Sequence, residues 1–182
     1  MKFYNYKMIR KANTNEANQC INLLKLALDD IIYTISKSND EKYTNDFLIS
    51  MFKSEQCRIS YKNTTVFEKD NKIVGVMVSY GGKDVGYLDE HYKDIFEKEC
   101  FDDEYYIDAI AVDEKYRGNK IATKLISHTD ILAKDKNYNK ISLIVDNHKE
   151  KTIQFYQRLG FLYDQDFRVY DKNFKHMIKD IK

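Results

Sequence analysis

Tyr105-Tyr106-Ile107-Asp108-Ala109-Ile110-Ala111-Val112 runs directly into Asp113-Glu114-Lys115-Tyr116-Arg117-Gly118-Asn119-Lys120-Ile121-Ala122. The first part reads as an apolar strand and the second as a short basic turn. Ile121, Leu125, Ile126 and Leu132 then recur at helical spacing, which predicts a helix over 120–135. The first N–H groups of a helix have no intrahelical acceptor, and the macrodipole adds partial positive charge there. Set after an apolar strand, such an end is a natural seat for a pyrophosphate.

Working outward, a second strand is expected over 141–145, which makes 105–145 a βαβ unit. A short helix over 152–159 precedes Gly160-Phe161, and two last strands are expected near 163–169 and 174–181. On the other side, Lys72 to Tyr80 and Thr64 to Glu68 are β-branched and aromatic runs separated by Asp70-Asn71, a hairpin signal. Residues 83–104 between hairpin and strand are acidic and irregular, with a helical turn or two expected around Tyr92 and Phe96. Residues 41–53 read as a helix with Tyr43, Phe47, Leu48, Met51 and Phe52 on one side. Ahead of it, Asn13 and Glu16 have capping-box spacing. Ala17, Ile21, Leu24, Leu28, Ile31 and Ile35 then predict one long amphipathic helix. Residues 5–11 are read as a first strand. The order describes an α/β protein with a mixed sheet, and no repeat or linker divides the 182 residues.

Lys plus Arg number 30 against 29 Asp plus Glu, and a net charge of +1 disfavours a nucleic-acid partner. No apolar run reaches the roughly 20 residues of a membrane span, and residues 1–10 lack a signal-peptide core. A cytoplasmic protein is expected, with no membrane partner. Cys20, Cys57 and Cys100 form no CxxC pair and read as reduced, core-like thiols. His91, His128, His148 and His176 have no metal-ligand spacing, so no metal is expected. Proline is absent and glycine occurs six times, so Gly118 and Gly160 carry positional weight.

The turn 117–122 resembles the acyl-CoA motif Arg/Gln-x-x-Gly-x-Gly/Ala of the GCN5-related N-acetyltransferases (GNAT). Arg117 and Ala122 match, and Lys120 stands where that family usually has its central glycine. A lysine there calls for an allowed helical backbone and an outward side chain. Thr152-Ile153-Gln154-Phe155-Tyr156-Gln157-Arg158-Leu159-Gly160-Phe161 resembles the family's A-x-x-[LF]-Y-x-x-x-G-F helix. The family's asparagine before that helix would fall on Lys149, with Asn147 two residues earlier. The element order is also the family's, so the resemblance covers nearly the whole chain. It implies a GNAT-like acyl-CoA acyltransferase fold with a largely antiparallel sheet in a single domain, 1–182.

The same resemblance implies acetyl-CoA as co-substrate. Backbone groups of Ile110, Ala111 and Val112 would meet its pantetheine arm. Arg117, Gly118, Asn119, Lys120, Ile121, Ala122 and Thr123 would hold its phosphates, and Asn147 is a further contact. Tyr156 is the candidate acid for the departing thiolate, although its place on a face with Ile153 and Leu159 equally suits a core aromatic. A thiol titrates near about 8.5 and an alkylamine near about 10.4, so deprotonating the amine is the harder proton transfer. Two-residue periodicity puts Glu104, Tyr106 and Asp108 on one strand face, which makes Glu104 and Asp108 the candidate bases. No activated Cys or Ser is evident, so direct attack on acetyl-CoA by a primary amine is expected. The rival reading is a non-catalytic acyl-CoA-binding sensor or interaction module. The acceptor is unidentified, and a homodimer is open. Nine acidic residues against three lysines between Lys83 and Glu104 suggest a cationic acceptor, since in that architecture the segment borders the acceptor side.

Overall fold

The computed structural model describes residues 8–92 and 94–181. Its strands are β1 (Ile9–Lys11), β2 (Thr64–Lys69), β3 (Lys72–Gly81), β4 (Tyr105–Val112), β5 (Lys140–Asp146), β6 (Leu162–Val169) and β7 (Lys172–Asp180). They form one seven-stranded sheet in the order β1-β2-β3-β4-β5-β7-β6. Only β4 and β5 run parallel; the other neighbours are antiparallel. Helices α1 (Ala17–Leu28), α2 (Ile31–Ser36) and α3 (Glu41–Lys53) pack on one face, and α5 (Ile121–Asp135) and α6 (Glu150–Arg158) on the other. A single turn, α4 (Val85–Leu88), follows β3. It takes the place of the turns expected around Tyr92 and Phe96, neither of which lies in a helix. Of the expected first strand, residues 9–11 are strand and residues 5–7 lie outside the described residues.

The β2–β3 turn has Asp70 at φ 52 and Asn71 at φ 60, the pair of positive φ values that a tight I′ hairpin demands. All three cysteines are buried, as their composition suggested. No helix among the described residues is long and apolar enough to cross a membrane.

Two departures from the sequence-based expectation shape the cleft. The single helix expected from Ala17 to Ile35 is broken at Asp29, which has φ 48 and ψ −134. Helical spacing survives the break because α1 and α2 bury their apolar faces against the same cluster, so periodicity alone cannot detect it. In β4 the register shifts: Val78 pairs with Ala109 and Ser79 with Ile107, which leaves Asp108 without a partner on β3. This bulge inverts the alternation along the strand. Tyr106, Ala109 and Ala111 belong to the α1–α3 side, whereas Tyr105, Ile107, Ile110 and Val112 belong to the α5 side.

The bulge lies just past the only pairing between β4 and β5, Tyr105 with Ile141 and Tyr106 with Ser142. Beyond it β4 continues on β3 to Val112 and β5 continues on β7 to Asp146. The two strands diverge, and a wedge opens between them. On the far side of β4, Gly75 lets α5 press close onto β3, since a Cβ there would lie 2.8 Å from Ile121 Cγ2. The N-terminus of α5 is thereby held beside the end of β4.

Candidate active site

The wedge holds a cavity of about 310 Å³ between Ile107–Ile110 on one strand and Leu143–Asp146 on the other. The α1–α2 break supplies Leu26 to Asp29 as its third wall. A second cavity, of about 540 Å³, lies between Ile110–Val112 and the turn before α5. Leu26, Ile110 and Thr152 line both, so the two spaces adjoin.

The second cavity is the one read from the turn. Arg117, Gly118, Lys120, Ile121, Ala122 and Thr123 line it, together with Ile110, Ala111 and Val112. Among the described residues, the amides from Gly118 to Thr123 donate to no backbone carbonyl, and Lys124 is the first to do so, onto Lys120 at 3.0 Å. Of these unspent N–H groups, those of Gly118 and of Lys120 to Thr123 belong to residues lining the cavity, at the positive end of a 15-residue helix, and suit an anion. Asn119 lines neither cavity; its side-chain amide donates to the carbonyls of Tyr116 (3.0 Å) and Arg117 (3.4 Å) and so fixes the turn. Lys120 corrects one expectation. Its side chain is exposed as anticipated, but its backbone is left-handed (φ 58, ψ 22), not right-handed helical. Gly118, at φ +81, shares that region of backbone space.

At the inner end of the first cavity stand two carboxylates. The bulge turns Asp108 into the space, where it accepts a 2.6 Å hydrogen bond from the Tyr80 hydroxyl. Glu99 accepts from Tyr106 at 2.7 Å and Tyr170 at 3.0 Å, and the Arg58 guanidinium approaches it at 3.3 Å. Arg58 spends most of its charge elsewhere. It makes a two-pronged pair with Asp89 at 2.8 and 2.6 Å and lies 4.7 Å above the Phe96 ring. Burial drives the Glu99 carboxyl up to about 7 and the Asp108 charge adds to the shift, while Arg58 and the tyrosine bonds oppose it. Burial raises Asp108 as well, against Arg58 and Tyr80. Both carboxyls therefore give up their protons less readily than ordinary ones, and the Asp108 charge is part of the reason for Glu99.

Tyr156 lies on α6 and lines the first cavity. Its ring packs on Phe155 and Phe161, so the core position read from spacing is also correct. Among the described residues its hydroxyl has no hydrogen-bond partner, and burial pushes the phenol up to about 12. Glu104, paired with Asp108 by strand periodicity, sits elsewhere. It is buried outside both cavities, where it accepts from Phe101 N–H (3.0 Å) and Ser142 (2.8 Å) and bonds His176 at 3.0 Å. Glu104 precedes the first residue of β4, so the strand alternation that paired it with Asp108 does not extend to it. Asn147 lines neither cavity, and its buried Oδ1 has no hydrogen-bond partner among the described residues. Part of the acidic segment is held in ion pairs: Asp84 with Lys136, Asp89 with Arg58, Asp103 with Lys140. Among its described residues, Glu99 is the carboxylate that lines the cavity. Neither Glu99 nor Arg58 was singled out by the sequence. The one signal was an unpaired charge amid apolar neighbours at Cys57-Arg58-Ile59.

A mixed sheet opened between two parallel strands, with an amide cradle at the mouth of the opening, has the architecture of an acyltransferase. Residues 32–161 match the acetyltransferase (GNAT) family, and the chain belongs to it. It is similar to an N-acetyltransferase from Staphylococcus aureus Mu50, at 27% identity over 94% of this chain and 99% of that one, with a TM-score of 0.82. A second acetyltransferase crystal structure aligns over 96% and 100% of the two chains at 24% identity and a TM-score of 0.82, a likeness of fold. A PaiA N-acetyltransferase from Thermoplasma acidophilum, solved in complex with coenzyme A, shares the fold at 15% identity over 94% and 97%, with a TM-score of 0.57. A comparison with curated proteins returns no match.

Proposed function

We propose that this protein transfers acetyl from acetyl-CoA to a small primary amine by direct attack in a ternary complex. The observation that carries the reading is the junction of the two cavities, where an anion cradle opens onto a wedge ending in paired carboxylates. The cradle's free amides fit a pyrophosphate, with Arg117 and Lys120 adding positive charge. Ile110 to Val112 present the open edge of β4 to the pantetheine arm. When bound, acetyl-CoA supplies a thioester carbon that forms a bond to the amine nitrogen while its carbon–sulfur bond breaks and sulfur leaves as thiolate.

The chain's own residues manage the protons. Glu99, with Asp108, receives the proton that the ammonium must lose; its elevation to about 7 suits a base working near neutrality. Tyr156 donates a hydrogen bond to the departing sulfur. With a phenol near 12 it is a weak acid, and a thiolate needs little help, so its share of catalysis is the smaller one. Glu104 has no part in the transfer. Calorimetry with CoA and thiol release from acetyl-CoA over an amine panel test the reading together. Tight CoA binding without thiol release for any amine would make the protein a binding module instead.

A further inference from the structure

The first cavity also constrains which amine it takes, an inference that rests on the acetyl-transfer reading above. Its walls between the carboxylates and the mouth are apolar, formed by Ile31, Ile35, Ile59, Phe96 and Phe174. Its inner end carries Glu99 and Asp108; Arg58 does not line the cavity, makes its two-pronged pair with Asp89 and also pairs with Glu99 at 3.3 Å. Both carboxylates lie in this one part of the lining, next to Tyr80, Tyr106 and Tyr170, so they offer one place for an ammonium. At the mouth, Asp29 and Asp146 are offset by Lys149 and Lys172, so the rim offers no net anion to a second cation. Tyr156 is 8% exposed, lines the same space and has no hydrogen-bond partner among the described residues, which places an unspent polar group at the transfer end. A volume of about 310 Å³ is small for a ligand pocket and suits a small molecule better than a peptide chain.

We infer that the acceptor is a small monoamine with one ammonium and an apolar body, an alkyl- or arylalkylamine, and not a di- or polyamine. The ammonium sits between Glu99 and Asp108, and the body fills the apolar wall. A second ammonium would be drawn along Ile31, Ile35 and Phe96 with no counter-charge, and an unpaired buried charge is costly.

Thiol-release kinetics on hexylamine, phenylethylamine, 1,6-diaminohexane and spermidine test this, with acetyl-CoA saturating. Hexylamine and phenylethylamine should exceed the two polyamines in kcat/KM by about tenfold or more. A diamine that matches or beats hexylamine overturns the inference while leaving acetyl transfer intact. No turnover with any amine overturns both. Ile31→Glu, at a half-buried wall position, adds the missing counter-charge and should move the diamine-to-monoamine ratio of kcat/KM up by about tenfold. An unchanged ratio in that folded variant would show that the wall does not face the amine's body, and would also overturn the inference.

Discussion

Glu99 owes its chemistry to its neighbours. An ordinary glutamate is ionised at neutral pH, but burial and the Asp108 charge raise this one to about 7, so in its proposed role as base it becomes active only as pH rises through that value. The sign is that of a base: its ionised form works, so log kcat/KM should climb with pH and change slope near 7 rather than near 4.5. Glu99→Gln should abolish that inflection and cost roughly 10²–10⁴ in kcat/KM, measured by thiol release between pH 5.5 and 9. A retained inflection would transfer the role to Asp108. Tyr156→Phe should lower kcat at the small end of the same range, about 10², and leave CoA affinity unchanged, since the hydroxyl acts only as sulfur departs. Wild-type kcat in that variant would leave Tyr156 a core aromatic. Tyr156 was legible in the sequence because a helix face and a following glycine are local signals. Glu99 was not, because it lies in an irregular acidic segment and draws its significance from Arg58, Tyr106, Asp108 and Tyr170, up to 71 residues away.

The turn and its helix show the same contrast one level up. Strand β4, the turn and α5 were readable because apolar runs and helical spacing are short-range, and the boundaries agree to within a residue. What escaped were the points where a regular element is interrupted: the Asp108 bulge, the Asp29 break and the left-handed Lys120. Periodicity runs on through each of them, yet each one builds the cleft. Lys120 leads to a prediction. A non-glycine residue in the left-handed region costs roughly 1–2 kcal/mol, while glycine costs about 0.5–1 kcal/mol in chain entropy. Lys120→Gly should therefore stabilise the free protein by up to about 1 kcal/mol, raising Tm by roughly 2–4 °C. Calorimetric CoA titration of the same variant separates charge from strain. Weaker binding in a protein of higher Tm assigns Lys120 to the phosphates, and a lower Tm shows that the strain argument fails. Arg117→Ala should weaken CoA binding by roughly fivefold at low salt and by less at high salt, where the exposed charge is screened. Equal affinities in both proteins at low salt would move the phosphates out of the turn.

Across the whole molecule, His176 ties the outer strands to the segment that carries the site. It is fully buried in β7, with Nε2 3.0 Å from Glu104 just ahead of β4 and Nδ1 3.0 Å from Asp164 on the edge strand β6. A register shift between Tyr163 and Gln165 leaves Asp164 unpaired with β7 and free to reach the ring, as the β4 bulge does for Asp108. Phe167 stacks on the imidazole at 4.8 Å and Phe101 meets it edge-on at 5.6 Å. In the sequence His176 stood out only as one of four histidines without metal-ligand spacing. Its partners were beyond reach, since Glu104 lies 72 residues away and no local pattern links a histidine in the last strand to a loop before the fourth. Burial pushes the imidazole down, but hydrogen bonds and charge from Glu104 and Asp164 outweigh it and raise the pKa above 6.5. For a histidine raised on folding, the stabilisation is complete below the unfolded value of about 6.5 and is lost as pH rises through the folded value. Urea midpoints of wild type and His176→Gln, taken from pH 5.5 to 9, isolate this group from the others that titrate. The wild-type advantage should be greatest at the acid end of that window and shrink as the imidazole loses its proton. A gap that stays constant with pH would mean that the ring keeps one protonation state throughout the window, and that its titration does not set the strength of the clasp between β7, β6 and Glu104.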